Sequence, residues 1–437
     1  MKPASAGPVS RSLFHRAERV LVGGVDSPVR SFRAVGGTPL FFARGSGAYL
    51  IDVDRRRYLD LVNSWGATLL GNAPASVVAA VQRTARKGLS FGAPSSLEHE
   101  LAEEIRRAVP EMERLRFVSS GTEATMSALR LARGATGRSK VVKFAGGYHG
   151  HSDGLLAAAG SGPATQALPD SAGVPAAVVG ETIVIPYNDL DALGAAFERH
   201  PAEVAAVIVE PVAGNMGVVP PRPGFLSGLA RLTHAAGALM ISDEVLTGFR
   251  LRRGAVISSL GGSADLVTLG KVIGGGLPIG AYGGRREIME HLAPIGPVYQ
   301  AGTLSGHPLA MAAGRATLEA LTPPRYARLE RTSADLERAL VETAQDVDAL
   351  PLAVQRVGSM LGIFFCAGPV VDEASARATD RERYARFFHA ALRRGVALPP
   401  SPLETTFVSM ATTPSDLDRA LPALRAALRA SCRRRAT

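Results

Sequence analysis

Lysine is scarce in this chain: of its 49 basic residues only five, Lys2, Lys87, Lys140, Lys143 and Lys271, are lysine. Arginine carries the surface charge, and a guanidinium does not lose its proton, so a lysine in an apolar, glycine-lined setting invites a chemical reading. Cysteine is nearly absent as well. The two present, Cys366 and Cys432, have no metal-ligand spacing around them, which argues against a disulfide framework or structural zinc and suits reduced thiols. No stretch approaches the ~18 uncharged apolar residues of a membrane span. The start, "MKPASAGPVSRSLFHRAERV", has no apolar core followed by a cleavage site, so the expected location is the cytoplasm. Basic clusters interleaved with aromatics are missing too. Despite a net charge of +10, the only arginine triplets are Arg55 to Arg57 and Arg433 to Arg435, and no nucleic-acid surface is indicated.

What is present is core-forming material: 437 residues, 46% hydrophobic and only 20% charged, enough for one large domain and a smaller one. From about Leu115, short apolar runs alternate with helical patterns: "RLRFVSS", "KVVKFAG", "TIVIPYN", "VAAVIVEPV", "ALMISDEV", "LVTLGKV" and "GAYGG". Seven strands with helix-length connections predict an α/β fold with a mostly parallel sheet. Ahead of them, "TPLFFARGSGAYLIDVDRRRYLDLV" alternates with period two and reads as an antiparallel hairpin or meander. The segment after Ala353 mixes strands such as "GSMLGIFF" and "TTFVSMA" with helices such as "PSDLDRALPALRAALRAS". The simplest division is a large domain over 71–323 and a small α+β domain built from both termini, 1–70 and 324–437. The small-residue, proline-punctuated stretch from Ala157 to Glu181 reads as a long loop, with the role of a lid.

Open parallel sheets bind ligands beyond the carboxyl ends of their strands, so the informative positions are where each apolar run stops. "RFVSSGTEATMSALRLAR" passes from a strand through Ser119, Ser120, Gly121 and Thr122 into an amphipathic helix, which is either a phosphate cradle or an ordinary helix cap. "ALMISDEVLTGF" places Asp243 after a buried strand, where a carboxylate needs a cationic partner, a protonated ring nitrogen or an arginine. Lys271, in "TLGKVIGGG", follows the next strand and falls at the same sheet edge. Phosphate, ring nitrogen and aldehyde are the three anchor points of pyridoxal phosphate. "GGYHGHSD" adds Tyr148, whose face can stack on a ring, and His149. His149 and His151 lack the acidic neighbours that would argue for a metal, and no metal is expected.

In order along nearly the whole chain, "GGVDSPVRSF", "NSWGATLLG", "SSGTEATMSALRLARGATGR", "GGYHGHSDGLL", "AAVIVEPVAGNMGVVPP", "DEVLTGFR" and "TLGKVIGGGLPIGAYGG" resemble the glutamate-1-semialdehyde aminomutases, class-III aminotransferase-like members of the fold-type I pyridoxal phosphate enzymes. The resemblance implies a seven-stranded, mostly parallel large-domain sheet, pyridoxal phosphate with a pyridoxamine phosphate form in the cycle, and a homodimer. It implies that Lys271 bonds the cofactor aldehyde and moves protons, that Asp243 holds the ring nitrogen, and that Ser120, Gly121 and Thr122 bind the phosphate. Thr303, in "QAGTLSG", reaches the phosphate held by the other subunit, while Tyr148, His149 and Asn215 surround the ring. Ser27, Arg30, Trp65 and Ser161 line the substrate carboxylate end, with Glu404 near the cofactor. A small-molecule substrate, with a hand-off from an upstream glutamyl-tRNA reductase, is implied as well, with no nucleic acid and no membrane. The chain departs from that pattern in having "GNAPA" at Gly71 to Ala75 for a "GHAHP"-like stretch, "RLRRGAVISSL" for a "GGAQ"-like one, and Ser119 where asparagine is usual.

The expected reaction is an amine exchange within one molecule that converts glutamate 1-semialdehyde to 5-aminolevulinate. The rivals are an aminotransferase that uses an external amine donor, or a related aminomutase of a specialised pathway. A non-catalytic binding protein of the same fold would be expected to lack the lysine or the aspartate.

Overall fold

The computed structural model describes residues 6–157 and 171–432. Every apolar run named above becomes a strand. The large sheet contains β4 (Arg114–Val118), β5 (Lys140–Phe144), β6 (Thr182–Ile185), β7 (Val204–Val209), β8 (Leu239–Asp243), β9 (Leu266–Gly270) and β10 (Gly280–Gly284), in the order β4-β10-β9-β8-β7-β5-β6. All neighbouring pairs are parallel except those made by β10, which runs against both β4 and β9. Alternation along the strands supplies two buried faces. Val142, Phe144, Val207, Val209 and Met240 pack on one side, and Val141, Ala206, Ile208 and Ile241 on the other.

The helix Gly121–Thr136 covers the second face with Ala124, Ala128, Leu131 and Ala132. It starts where Ser120 accepts a hydrogen bond from the Glu123 amide at 3.1 Å and stops at Gly137, whose φ of +69° ends the spiral.

Two smaller sheets flank this layer. β1 (Phe42–Ser46), β2 (Tyr49–Asp52) and β3 (Arg57–Asp60) form the expected antiparallel meander. The two-residue strand β13 (Val396–Ala397) joins it parallel to β3, Val396 opposite Leu59. β11 (Ala353–Val357), β12 (Met360–Phe364) and β14 (Thr406–Phe407) form the third sheet. No helix among the described residues is long and apolar enough to cross a membrane.

The stretch from Ala157 to Glu181 differs from a plain loop in its described part, which contains the one-turn helix Ala176–Val179. The rest of it, with Ser161, lies outside the described residues. At the "GNAPA" departure, Asn72 donates from Nδ2 to the buried carboxylate of Asp60 at 3.0 Å, and its backbone bridges to Gly47. That is a structural use of an amide.

Candidate active site

Five strands end at one edge of the large sheet and deliver their next residues to one cavity. β4 leads to Ser119 and Ser120, β5 to Tyr148 and His149, β7 to Glu210, β8 ends on Asp243, and β9 leads to Lys271. These residues line a cavity of about 390 Å³ together with Gly121, Thr122 and Asn215.

Asp243 stands at its floor, almost wholly buried. Its Oδ2 accepts from His149 Nδ1 at 2.7 Å, and Oδ1 accepts from Thr268 Oγ1 at 3.0 Å and from the Val245 amide at 3.1 Å. Three donors leave one of the four acceptor positions of the carboxylate open toward the cavity. Beside it Glu210, also buried, organises the opposite wall. Oε1 accepts from the Tyr148 amide at 3.1 Å, and Oε2 accepts from the Gly214 amide and from Asn215 Nδ2, both at 2.9 Å. Burial pushes the Glu210 carboxyl up from its ordinary value and the Asp243 charge adds to this, while His149 and the donors pull it down. Lys271 lies across the cavity. Desolvation draws its amine below the ordinary lysine range against the pull of Asp243, Glu210 and Glu404. Its backbone is in the left-handed region, φ +46°, at the start of the 3-10 turn Lys271–Gly274.

Pyridoxal phosphate suits this arrangement on four counts. An amine with depressed pKa is available for the aldehyde. A buried carboxylate with an open acceptor position faces the cavity. The amides of Gly121 and Thr122 stand at the N-terminus of a 16-residue helix, where an anion is favoured. The cradle is also kept empty by glycine: a Cβ on Gly150 would lie 2.6 Å from Thr122 Cα, and one on Gly121 would lie 2.9 Å from Val245. Nε2 of His149 is buried without a hydrogen-bond partner. Among the described residues no group of three or more His, Cys, Asp or Glu is placed to hold a metal ion.

The structure thus brings together Ser120, Gly121, Thr122, Tyr148, His149, Asn215, Asp243 and Lys271. The Ser120 hydroxyl oxygen already caps its helix, and Thr122 Oγ1 is 3.1 Å from His151 Nδ1. His149 lines the cavity as expected of a ring neighbour, and through Nδ1 it also contacts Asp243 and orients that carboxylate. Glu404 does not line the cavity, yet its charge reaches Tyr148, whose phenol is raised by burial first and by Glu404 second. Ser27 is half-buried, Arg30 is exposed at the end of the turn Pro28–Arg30, Trp65 is half-buried in the turn Asn63–Gly66, and none of the three lines the cavity. Thr303 is exposed and lines a different cavity, of about 380 Å³, with Phe91 and Leu304.

Among the buried charged residues, Glu210 and Arg250 escaped the sequence reading, and Glu244 entered it only as the neighbour of Asp243 after a buried strand. Glu210 had the same signal as Asp243, a carboxylate at a strand's carboxyl end. Glu244 is surrounded by donors, accepting from the amides of Val256 and Ile257 at 2.8 and 2.9 Å and from Thr247 Oγ1 at 2.5 Å. Arg250 gave no signal among so many arginines.

The family model for aminotransferase class-III matches residues 32–428. The glutamate-1-semialdehyde 2,1-aminomutase of Roseiflexus castenholzii is 56% identical over 96% of this chain and 97% of its own length. That of Thermus thermophilus is 55% identical over 96% and 99%. Among solved structures, an omega-transaminase from Sphaerobacter thermophilus superposes with a TM-score of 0.89 at 33% identity, covering 98% of both chains. A glutamate-1-semialdehyde-aminomutase from Pseudomonas aeruginosa PAO1, in complex with PMP, does so with a TM-score of 0.84 at 28% identity, over 96% of this chain and 94% of that one.

Proposed function

Because the chain belongs to the class-III aminotransferase family, we propose that it converts glutamate 1-semialdehyde to 5-aminolevulinate, a step toward tetrapyrroles. The observation that carries this is identity of 53 to 56% over nearly full length to several glutamate-1-semialdehyde 2,1-aminomutases, combined with the Lys271–Asp243–Glu210 cavity. The reaction moves an amine from C4 to C5 and a carbonyl the other way, so composition is unchanged and no external donor is consumed. Pyridoxal phosphate, when bound, supplies the electron sink and the amine relay that such an exchange needs.

The chain's own residues do the rest. Lys271 would hold the cofactor's aldehyde, and its amine would carry protons between the two substrate carbons. Asp243, oriented by His149, would hold the ring nitrogen. Gly121 and Thr122 offer amides to the phosphate. Tyr148, His149 and Asn215 would surround the ring, with the Tyr148 backbone and the Asn215 side chain held by Glu210. On the substrate side we assign Ser27, Arg30, Trp65 and Ser161 to the carboxylate and Glu404 to the cofactor's vicinity.

We also assign 71–323 to a large domain and 1–70 with 324–437 to a small one, supported by β13 pairing with β3 across the ends of the chain. A homodimer completes the same reading. Phe91, Ile295, Tyr299 and Leu304 are exposed large apolar groups, and Thr303, next to Leu304, would reach a second copy's phosphate. A cytoplasmic setting and a hand-off from an upstream glutamyl-tRNA reductase belong to this reading as well.

The test is product analysis with purified protein, glutamate 1-semialdehyde and no added amine. Formation of 5-aminolevulinate is expected; turnover only with an added donor would favour a transaminase like that of Sphaerobacter.

A further inference from the structure

Arg250 is fully buried and forms no ion pair among the described residues. Isolated buried cations are costly unless their N–H groups are satisfied. Here four hydrogen bonds do so, and they reach three separate segments. Nε and Nη2 fork onto the carbonyl oxygen of Gly66 at 3.2 and 2.7 Å, and Nη1 donates to Ser359 Oγ at 3.2 Å and to the Val408 carbonyl at 3.3 Å. The guanidinium carbon also lies 4.7 Å from the centroid of the Phe407 ring.

The turn that accepts the fork is strained. Asn63, Ser64 and Trp65 have φ of +48°, +50° and +58° before Gly66 at +93°. Three consecutive non-glycine residues in the left-handed region are costly and persist only where the surroundings over-determine them. Asn63 Nδ2 donates to the Phe407 carbonyl at 2.7 Å, and the Phe407 amide donates to the Leu61 carbonyl at 2.8 Å. The turn with Trp65 and the strand that follows Glu404 are therefore stitched together, with Arg250 gripping both from the large-domain side, seven residues after Asp243. Its charge also helps to lower the Lys271 pKa, after desolvation.

We propose that Arg250 is the positioning residue of the substrate pocket: one guanidinium holds the Trp65 turn in its left-handed form and locks it to the 404–408 segment. A lysine cannot replace it, because a single ammonium cannot fork onto Gly66 and reach Ser359 and Val408 at once. This rests on the reading above only in taking Trp65 as a wall of the substrate pocket.

The chain offers its own reporter, since Trp65 is its only tryptophan. Arg250→Lys and Arg250→Met would be purified and compared with the wild-type protein by far-ultraviolet circular dichroism, acrylamide quenching of Trp65 fluorescence, and steady-state kinetics with glutamate 1-semialdehyde. At least Arg250→Lys folds, the quenching constant rises about two- to threefold as the turn opens, and kcat/KM falls about ten- to a hundredfold, as expected when a wall of the site shifts by about 1 Å. A folded Arg250→Lys protein with wild-type quenching overturns the proposal, and so does failure of both variants to fold, which would make the residue plain scaffold. Absence of turnover in the wild-type protein would sink the substrate assignment, while the Trp65 readout would still decide the role of Arg250.

Discussion

At Lys271 both backbone and side chain are held away from their ordinary states. A φ of +46° keeps the residue at a sharp exit from β9, and desolvation holds its amine below the usual lysine range. Lys271→Ala is therefore expected to lose the borohydride-stable link to the cofactor as well as turnover, and trapping of normal amounts in the variant would refute the role. Asp243→Asn tests the floor of the site. An amide cannot accept from His149, Thr268 and Val245 while holding a proton on the ring nitrogen, so turnover should fall about a thousandfold in a protein that still folds.

Lys143 shows that a depressed lysine pKa alone does not mark chemistry. Its ammonium is buried on β5, donating to the Leu155 carbonyl at 2.9 Å, and burial brings it down from 10.5 to about 8 against the charges of Glu210 and Glu373. A lowered folded-state pKa means that stability is fullest above about 10.5 and is lost as the pH falls through about 8. Lys143→Met should then be more stable than wild type at pH 7, by about 1–2 kcal/mol once the orphaned carbonyl is counted, and lose that advantage near pH 10.5. Parallel stability curves across that range would contradict it.

Among the elements, strands with continuous β-branched runs were legible because burial on both faces writes itself into composition. The strand β13 was not, since two residues carry no period and only pairing with β3, more than three hundred residues away, makes them a strand. β11, "AVQRV", is mixed in polarity and half-buried throughout. The cofactor cradle could be read as residue types but not as space. That Gly150, at φ +86°, must be glycine because Thr122 lies against it follows only from the packing of two segments. Gly150→Ala should push the Thr122 backbone out of place and weaken cofactor binding about tenfold or more, measured by absorbance titration. Unchanged affinity would show that the cradle yields.

For the whole molecule, the ligand-facing edge of the large sheet could be anticipated from topology, because β4, β5, β7, β8 and β9 all have their carboxyl ends at the edge where the cavity lies. The substrate-side residues could not. Ser27, Arg30 and Trp65 come from the N-terminal segment, and only resemblance connects them to the cavity; Glu404, from the C-terminal segment, is tied to it by its charge on Tyr148 and Lys271. Arg250 stayed hidden because its meaning lies in three acceptors from distant segments rather than in its neighbours. The central claim, that one molecule exchanges its own amine, is tested most directly by isotope. Glutamate 1-semialdehyde carrying nitrogen-15 would be turned over in the presence of excess unlabelled alanine, and the 5-aminolevulinate formed would be examined by mass spectrometry. Retention of the heavy nitrogen through many turnovers is the predicted result; product carrying the alanine nitrogen would contradict it.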